Sequence, residues 1–425
     1  MKYTLSIFFF FLGASAYAQS VAYTCGSAEY LDRLDNQFPG TKERVEHVTD
    51  HANYRSRSGT VTIPVVFHVV YKAAVENLSS NYLNAQIDLL NQCYARTNSD
   101  TTNMRSIFQS RVGSSKVRFI LDQVIRVSTT LTSFDASSTS GFANSDIVKQ
   151  TGSGGSDAIS PDSKLNVWIC DLTKDGSNTL IGYAYPPAGA PNWTAGSQAP
   201  TPAFDGVVID YMDIGGPLKQ PVGYSSGFRG KALVHEIGHY LGLRHIWGDD
   251  GGACQGQAGF KDDGLSDTPV AGDYSNFDCN KTKNSCVETS GDLLDMVENY
   301  MDYSSATCQN SFTKMQISAM EYVLDNIRVN VHIPLGVSMT ETVSKKIELY
   351  PNPVSDILYM QIENIEYEKV HLAISNTLGQ SIFSTVHRKS LSPLEINTHN
   401  FAKGIYFINV QIDDLPVISK KIILQ

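Results

Sequence analysis

Several things are scarce in this chain, and each scarcity excludes something. Its longest apolar run, Leu5 to Leu12, lies at the N-terminus and falls well short of the roughly 20 residues a helix needs to cross a bilayer. Basic residues are in deficit, with 33 Lys and Arg against 43 Asp and Glu, and they form no cluster. A net charge of −10 without a basic patch argues against a nucleic-acid partner. Cysteine is sparse, seven in 425 residues, so the chain is no disulfide-built scaffold. No internal repeat is present. What remains, 42% hydrophobic and 18% charged, suits two or three domains with buried cores.

The N-terminal run is a compartment signal. Lys2 precedes the apolar stretch, small residues follow it, and Ala16-Tyr17-Ala18 fits an A-x-A cleavage site. Residues 1–18 are therefore expected to be a signal peptide, cut before Gln19. No later stretch is long and apolar enough for a membrane helix, so an exported protein without a transmembrane segment is expected. Export makes disulfides permissible, and the odd cysteine count then leaves at least one thiol over.

Residues 19–57 are polar and without strong periodicity. They end at Arg55 and Arg57 in a small, polar context of the kind proteases nick. The β-branched run "TVTIPVVFHVVYK" then predicts a buried strand, with Pro64 placing its start near an edge or a bulge. Leu83, Ile87 and Leu90 have helix spacing. Further strands are expected in "KVRFILDQVIRV", "KLNVWICDL" and "DGVVIDYMD", and no regular structure is expected over 249–290, which is rich in Asp, Gly, Asn and Cys. Met315, Ala319, Val323 and Ile327 predict a second helix. After Pro334, short alternating strands separated by turn signals predict a small β-sandwich.

The chemistry is concentrated in "KALVHEIGHYLGLRHIWGDD". Leu233, Ile237 and Leu241 form a core-facing helical stripe. His235 and His239, four apart, project from one face and can share a metal ion. Glu236 between them can reach a water activated there. Gly242 permits a sharp turn that ends the helix, letting His245 swing back as a third ligand. Three neutral imidazoles hold Zn²⁺ with a fourth position open, which lowers the pKa of a water and polarises a carbonyl. Glu236 is then the expected general base.

The extended pattern H-E-x-x-H-x-x-G-x-x-H is the metzincin signature. It predicts a downstream tight turn with a Met beneath the metal, supplied by Met301 in "VENYMDYSSATC". Tyr303, two residues on, is placed to donate a hydrogen bond to an oxyanion. Together, "HEIGHYLGLRHIWGD", the Asp-Cys-rich stretch with "SDTP", and "NYMDYSSATCQNSFTKMQ" resemble the bacterial branch of the pappalysin family. The resemblance spans about 60–330. It implies an α+β fold with a mixed five-stranded sheet, helices and an irregular lower subdomain, and the activity of a secreted zinc endopeptidase on protein or peptide substrates. "LIGYAYPP" would be the edge strand that pairs with substrate.

Four cysteines, Cys254, Cys279, Cys286 and Cys308, flank the motif region, and sequence alone allows three pairings. The family pattern implies Cys254–Cys286 and Cys279–Cys308. Cys93 and Cys170 sit in apolar elements and are expected to be buried and unbridged. Aspartates crowd 249–278, and the resemblance implies calcium there, with Asp263 and Asp267 as candidate ligands. Cys25 in "TCG" resembles a cysteine switch, a thiolate occupying the zinc's open position in a latent form. Some bacterial relatives that cleave before basic residues carry an acidic residue just before the last disulfide cysteine; this chain has Thr307 there, a departure that leaves its cleavage-site preference open.

The C-terminal stretch resembles the sorting domain of type IX secretion substrates of Bacteroidetes, through "LYPNPVSDIL", "ISNTLGQSIF", "GIYFINVQ" and Lys420 and Lys421. This implies the secretion machinery as a partner, and release or surface attachment after export. The expected organisation is a signal peptide at 1–18, a propeptide at 19–57, a catalytic domain at 58–335, a linker at 336–344 and a sandwich at 345–425. The competing reading is an adhesin or binding protein on an inactive protease fold, against which stand Glu236, the three histidines and Tyr303.

Overall fold

The computed structural model describes residues 24–25, 59–134, 145–174, 178–190, 193, 197–215, 230–248, 252–258, 260–332, 347–362, 367–388, 393–413 and 417–425. The expected signal peptide, Arg55, Arg57 and the expected linker lie outside them.

A two-residue strand, β1 (Thr24–Cys25), precedes the main body. The apolar run after residue 60 forms β2 (Val61–Tyr71), and α1 (Ser80–Ala95) follows it. Next come β3 (Val117–Ser128), β4 (Leu165–Cys170), the short β5 (Thr173–Lys174), β6 (Asn178–Ala184) and β7 (Val207–Asp210). The five long strands form a mixed sheet in the order β6-β7-β4-β2-β3, with β6 antiparallel to β7 and the rest parallel. β5 pairs antiparallel with the start of β6, and β1 pairs along its outer edge.

β2 is buried almost throughout because it is an interior strand covered on both faces, which explains its unbroken apolar run. Pro64 thus lies away from the sheet edge, but beside a bulge. Pairing to β4 starts only at Val65, and β3 carries one extra residue, Asp122, opposite the Val65–Val66 step. A residue without an N–H is tolerated where the ladder is already interrupted.

The period of two in the strands divides the core. Phe67, Val69, Val167, Ile169 and Ile209 meet Leu83, Ile87 and Leu90 of α1, together with Leu233 and Ile237 of α2 (Lys231–Tyr240). Trp168, Cys170 and Val208 point the other way, against Phe134, Val148 and Tyr185. Cys93 and Cys170 are buried and unbridged, as expected. Burial pushes the Cys93 thiol up to about 11 and Cys170 well above its ordinary range, which keeps both as inert thiols.

Behind the sheet lies a polar network that no local motif announces. Buried Lys149 pairs with Asp146 at 2.9 Å and donates to Phe204 O. Asp146 also accepts from the hydroxyls of Tyr183 and Tyr185. His68 is spent similarly. Its Nδ1 lies 2.7 Å from Ser156 Oγ, its Nε2 lies 2.9 Å from Asn166 Oδ1, and burial lowers its pKa to about 4.

Between α2 and α3 (Lys314–Asn326) the described residues form no helix or strand, as the composition predicts. Disulfides Cys254–Cys286 and Cys279–Cys308 staple this region. Arg105 reinforces it, with its fork on Glu298 at 2.7 Å from both nitrogens. α3 opens with a Thr313–Gln316 capping box. Its stripe differs from the expectation. Ala319 and Val323 are buried, but Ile317, Met320 and Leu324 complete the buried face, while Met315 and Ile327 are only half-buried at its two ends. Ile327 is already the C-cap, so it lies past the helix whose register it was assigned to.

The C-terminal strands are β8 (Ile347–Tyr350), β9 (Ile357–Ile362), β10 (Lys369–Asn376), β11 (Ser381–Arg388), β12 (Leu394–Asn397), β13 (Gly404–Ile412) and β14 (Ile418–Leu424). They form two antiparallel sheets, β11-β10-β13-β14 and β12-β9-β8, around a shared apolar core that includes Leu358, Leu372, Ile408 and Ile422. Among the described residues, no helix is long and apolar enough to cross a membrane.

One contact under α2 fixes the position of the motif helix. Met301 is fully buried, and a Cβ added to Gly238 would lie 2.5 Å from its Sδ. Helix propensity alone predicts that Gly238→Ala gains about 1 kcal/mol. The contact predicts the opposite, because Met301 must move within a packed core, at a cost of about 1–3 kcal/mol. Urea denaturation of the variant should show a net loss of stability, and an unchanged or higher midpoint would contradict this account of the Met301 contact.

Candidate active site

α2 presents His235 and His239 on one face, as the four-residue spacing requires. After Tyr240 the helix stops. The Gly242 N–H bonds back to His239 O, the Leu243 N–H to Gly238 O, and Gly242 takes φ 91°. This is the left-handed turn that glycine closes at little cost. Trp193 Nε1 donates to Gly242 O at 2.9 Å, and Arg244 donates to Gly248 O and Asp262 O beyond it. The turn returns the chain so that His245 faces the helix.

The three Nε2 atoms converge. His235 and His239 are 3.1 Å apart, His239 and His245 3.1 Å, and His235 and His245 3.2 Å. A tetrahedral zinc with bonds of about 2.0–2.1 Å has ligand edges of roughly 3.3 Å, close to these separations. The opposite ring nitrogens are occupied. His235 Nδ1 lies 2.7 Å from Tyr300 O and His239 Nδ1 lies 2.9 Å from Leu243 O. A carbonyl accepts only an N–H, so both rings carry their proton on Nδ1 and turn an Nε2 lone pair to the centre. Burial and then the two neighbouring imidazoles hold His239 well below its ordinary pKa, in the neutral form that binds metal. The donor set fits zinc. Among the described residues this is the one group of three or more His, Cys, Asp or Glu whose ligand atoms come together.

Glu236 is 1% exposed, and its side chain runs beneath the edge strand β6. A Cβ built on Gly182 would stand 3.1 Å from Glu236 Cγ and 2.8 Å from Val208 O, so this strand approaches the site closely because position 182 is glycine. Thr24 and Cys25 of β1 pair in parallel with Leu180 and Gly182. The backbone of Cys25 is thereby set beside Gly182, the residue that packs over Glu236.

Met301 lies beneath the helix, as the turn expectation requires. Tyr303 is nearly buried, with its ring centroid 4.9 Å from that of His245 and 5.6 Å from that of His235. Sequence reasoning missed the aromatic wall around it. Trp247 stacks on His245 at 4.2 Å and 7° and meets Tyr303 edge-on at 4.7 Å, while Tyr274 lies 5.6 Å from Tyr303. Trp247 is two residues from His245 and could have been suspected. Tyr274 and the carbonyls of Tyr300 and Leu243 had no such signal. Thr307 bonds with Ser305 Oγ at 3.0 Å and sits 3.2 Å from Cys279 Sγ.

The two candidate calcium residues lie apart from the histidines and have local roles. Asp263 Oδ1 accepts from Leu265 N and Thr268 Oγ1, and Asp267 Oδ2 accepts from Met315 N at the start of α3. Burial raises the pKa of both, that of Asp263 well above the carboxylate range.

Comparison with known proteins agrees with this geometry. Residues 155–325 match the Peptidase M43 family, described as pregnancy-associated plasma protein-A, and residues 348–425 match a secretion system C-terminal sorting domain. Mature mirolysin of Tannerella forsythia, solved with a cleaved peptide, is 35% identical, with a TM-score of 0.54 over 65% of this chain and 97% of that one. A promirolysin mutant from the same organism is 31% identical, with a TM-score of 0.55 over 73% of this chain and 96% of that one. An extracellular metalloprotease of Arthroderma benhamiae is 29% identical over 66% of this chain and 79% of its own. The converging histidines, the mirolysin-like fold and the sorting domain lead to one conclusion: the chain belongs to the pappalysin family of metallopeptidases and is a secreted or cell-surface enzyme.

Proposed function

We propose that the protein is a zinc endopeptidase made as a latent precursor. The observation that carries this reading is the meeting of three Nε2 atoms within 3.1–3.2 Å, beside Glu236 and under an edge strand. His235, His239 and His245 would hold zinc, which supplies an acidified water and a polarised scissile carbonyl when bound. An extended substrate pairs along β6, and Gly182 lets its backbone come down over Glu236. The Glu236 carboxylate takes a proton from the attacking water as the C–O bond forms. It returns that proton to the amide nitrogen as the C–N bond breaks and the amine leaves. Tyr303 donates a hydrogen bond to the carbonyl oxygen as it gains charge.

Glu236→Ala should leave bound zinc, measured by elemental analysis, near the wild-type level. Cleavage of casein or gelatin should fall by about 10²–10⁴-fold. Equal clearing of a casein gel by wild type and variant would sink the protease reading and return the protein to the binding-protein alternative.

Calcium at Asp263 and Asp267 draws support from burial. Asp263 is 1% exposed, and Asp267 Oδ1 is buried without a hydrogen-bond partner among the described residues. A hard cation would offset the cost of keeping these carboxylates charged. Calcium chelation should then lower the melting temperature, calcium should restore it, and Asp263→Asn should abolish the difference. A melting temperature indifferent to calcium in the wild type disposes of the site.

Latency draws support from β1. It covers the outer edge of β6, which an extended substrate would need, and it puts Cys25 in register with Gly182. A relative has likewise been solved as a proenzyme, promirolysin. With Cys25 as the switch, the uncleaved Cys25→Ala precursor should cleave a fluorogenic peptide at a substantial fraction of the mature rate, and activation should leave a new N-terminus at Ser56 or Ser58. A Cys25→Ala precursor as silent as wild type would assign latency to the strand pairing instead.

A further inference from the structure

Asn276 and Phe277 carry backbone strain that the fold around them does not obviously need. Both have positive φ, 43° and 60°, and neither is glycine. For a bulky side chain this is a true outlier, and such residues persist only where their surroundings over-determine them. Here the surroundings are the strap that carries Tyr303. The Ser275 N–H donates to Asp302 Oδ1 at 3.1 Å, the atom that also accepts from Tyr303 N at 2.8 Å. The Phe277 N–H donates to Tyr303 O at 2.6 Å, and the Ser305 N–H to Asp278 O at 3.1 Å. Cys279–Cys308 then closes the two segments covalently.

The side chain repeats what the backbone does. The ring of Phe277 lies parallel to that of Tyr303, at 9° and 6.0 Å between centroids. Trp247, Tyr274, His245 and His235 meet the same ring from other directions, at 4.7, 5.6, 4.9 and 5.6 Å. A turn that holds Tyr303 in this way must present its N–H and its ring to one residue at once. The left-handed pair does, and it does so for the residue read above as the oxyanion donor.

We propose that Phe277 is a positioning residue for Tyr303, holding the phenol in place before substrate arrives. A donor fixed in advance needs no reorganisation as charge develops, so its loosening lowers kcat and leaves substrate binding almost untouched. The proposal rests on the oxyanion reading of Tyr303, and the test separates the two.

The test is steady-state cleavage of a quenched fluorescent peptide by the activated enzyme in five forms: wild type, Phe277→Ala, Phe277→Tyr, Tyr303→Phe and the double variant Tyr303→Phe/Phe277→Ala. Removing an oxyanion donor outright typically lowers kcat by 10²–10³-fold, and loosening one should lower it about 10-fold. Phe277→Ala is expected to show that loss with KM within about twofold of wild type, as for an interaction made only in the transition state. Phe277→Tyr, which keeps the ring, should restore the rate. In the Tyr303→Phe background, Phe277→Ala should cost nothing further. Where Phe277→Ala does not fold, Phe277→Leu, which keeps bulk without the ring plane, takes its place in both backgrounds. A normal kcat for Phe277→Ala beside a low one for Tyr303→Phe overturns the positioning role alone. Full additivity in the double variant does the same. A normal kcat for Tyr303→Phe removes the oxyanion reading, and the positioning role with it.

Discussion

Three imidazole nitrogens held within 3.1–3.2 Å of one another in a buried site are not stable by themselves. With their protons directed to carbonyls on the far side, the lone pairs of at least two rings point at a common centre, where only a cation makes the arrangement favourable. The architecture around α2 holds this otherwise repulsive triad in place. Tyr300 O and Leu243 O fix the tautomers, the Gly242 turn returns His245, Trp247 stacks on that ring, and Met301 presses up against Gly238. The disulfides and the Arg105 fork then keep the segment carrying Tyr300 and Met301 from drifting, although it has almost no regular structure of its own.

The legible part of this was whatever a short-range period encodes. His235 and His239 face one way because an α-helix brings residues four apart onto one side, and Leu83, Ile87 and Leu90 are buried for the same reason. The irregular Asp-Cys-rich stretch was legible as irregular, since few of its residues could pay the entropy of ordering by burial. The period misled at the ends of α3, where Met315 and Ile327 keep the spacing but run out of core to face. It was silent on contacts between distant segments. Lys149 lies beneath the rings of Tyr183 and Tyr185 because the sheet brings β6 beside a loop some thirty residues earlier, and no local pattern records that. Phe277 reads as an ordinary loop aromatic until the backbone shows its positive φ.

Two glycines show why close approach matters more than flexibility here. Gly182 and Gly238 have no need of left-handed backbone, yet each sits where a single added carbon would meet the site: one over Glu236, the other over Met301. Strain is spent elsewhere, at Asn276 and Phe277, on the strap that carries Tyr303. Glu236 and the motif helix are thus set by close packing, while Tyr303, the oxyanion donor we propose, is held by a turn under tension. That division suits chemistry in which three groups must meet one carbonyl from different directions.

In the reading we propose, the edge of β6 would tie catalysis to latency. A sheet edge offers a single row of unpaired N–H and C=O groups, and only one extended chain can use it at a time. In this structure β1 pairs in parallel along that row, Thr24 opposite Leu180 and Cys25 opposite Gly182, with a register shift between the two. On our reading a substrate needs the same row, because Gly182 is the position from which a backbone reaches Glu236. On that reading inhibition by β1 would be competitive, and it would operate even without a bond from Cys25 to the metal. The Cys25 thiolate we propose at the centre would add a second hold on the leader, beside Gly182. Two holds joined by a short linker reinforce each other through effective concentration, so breaking either one weakens both. Cleavage at the far end of the leader need not touch the site. It would cut the leader's covalent link to the enzyme, so that each release of β1 would become a dissociation into solution.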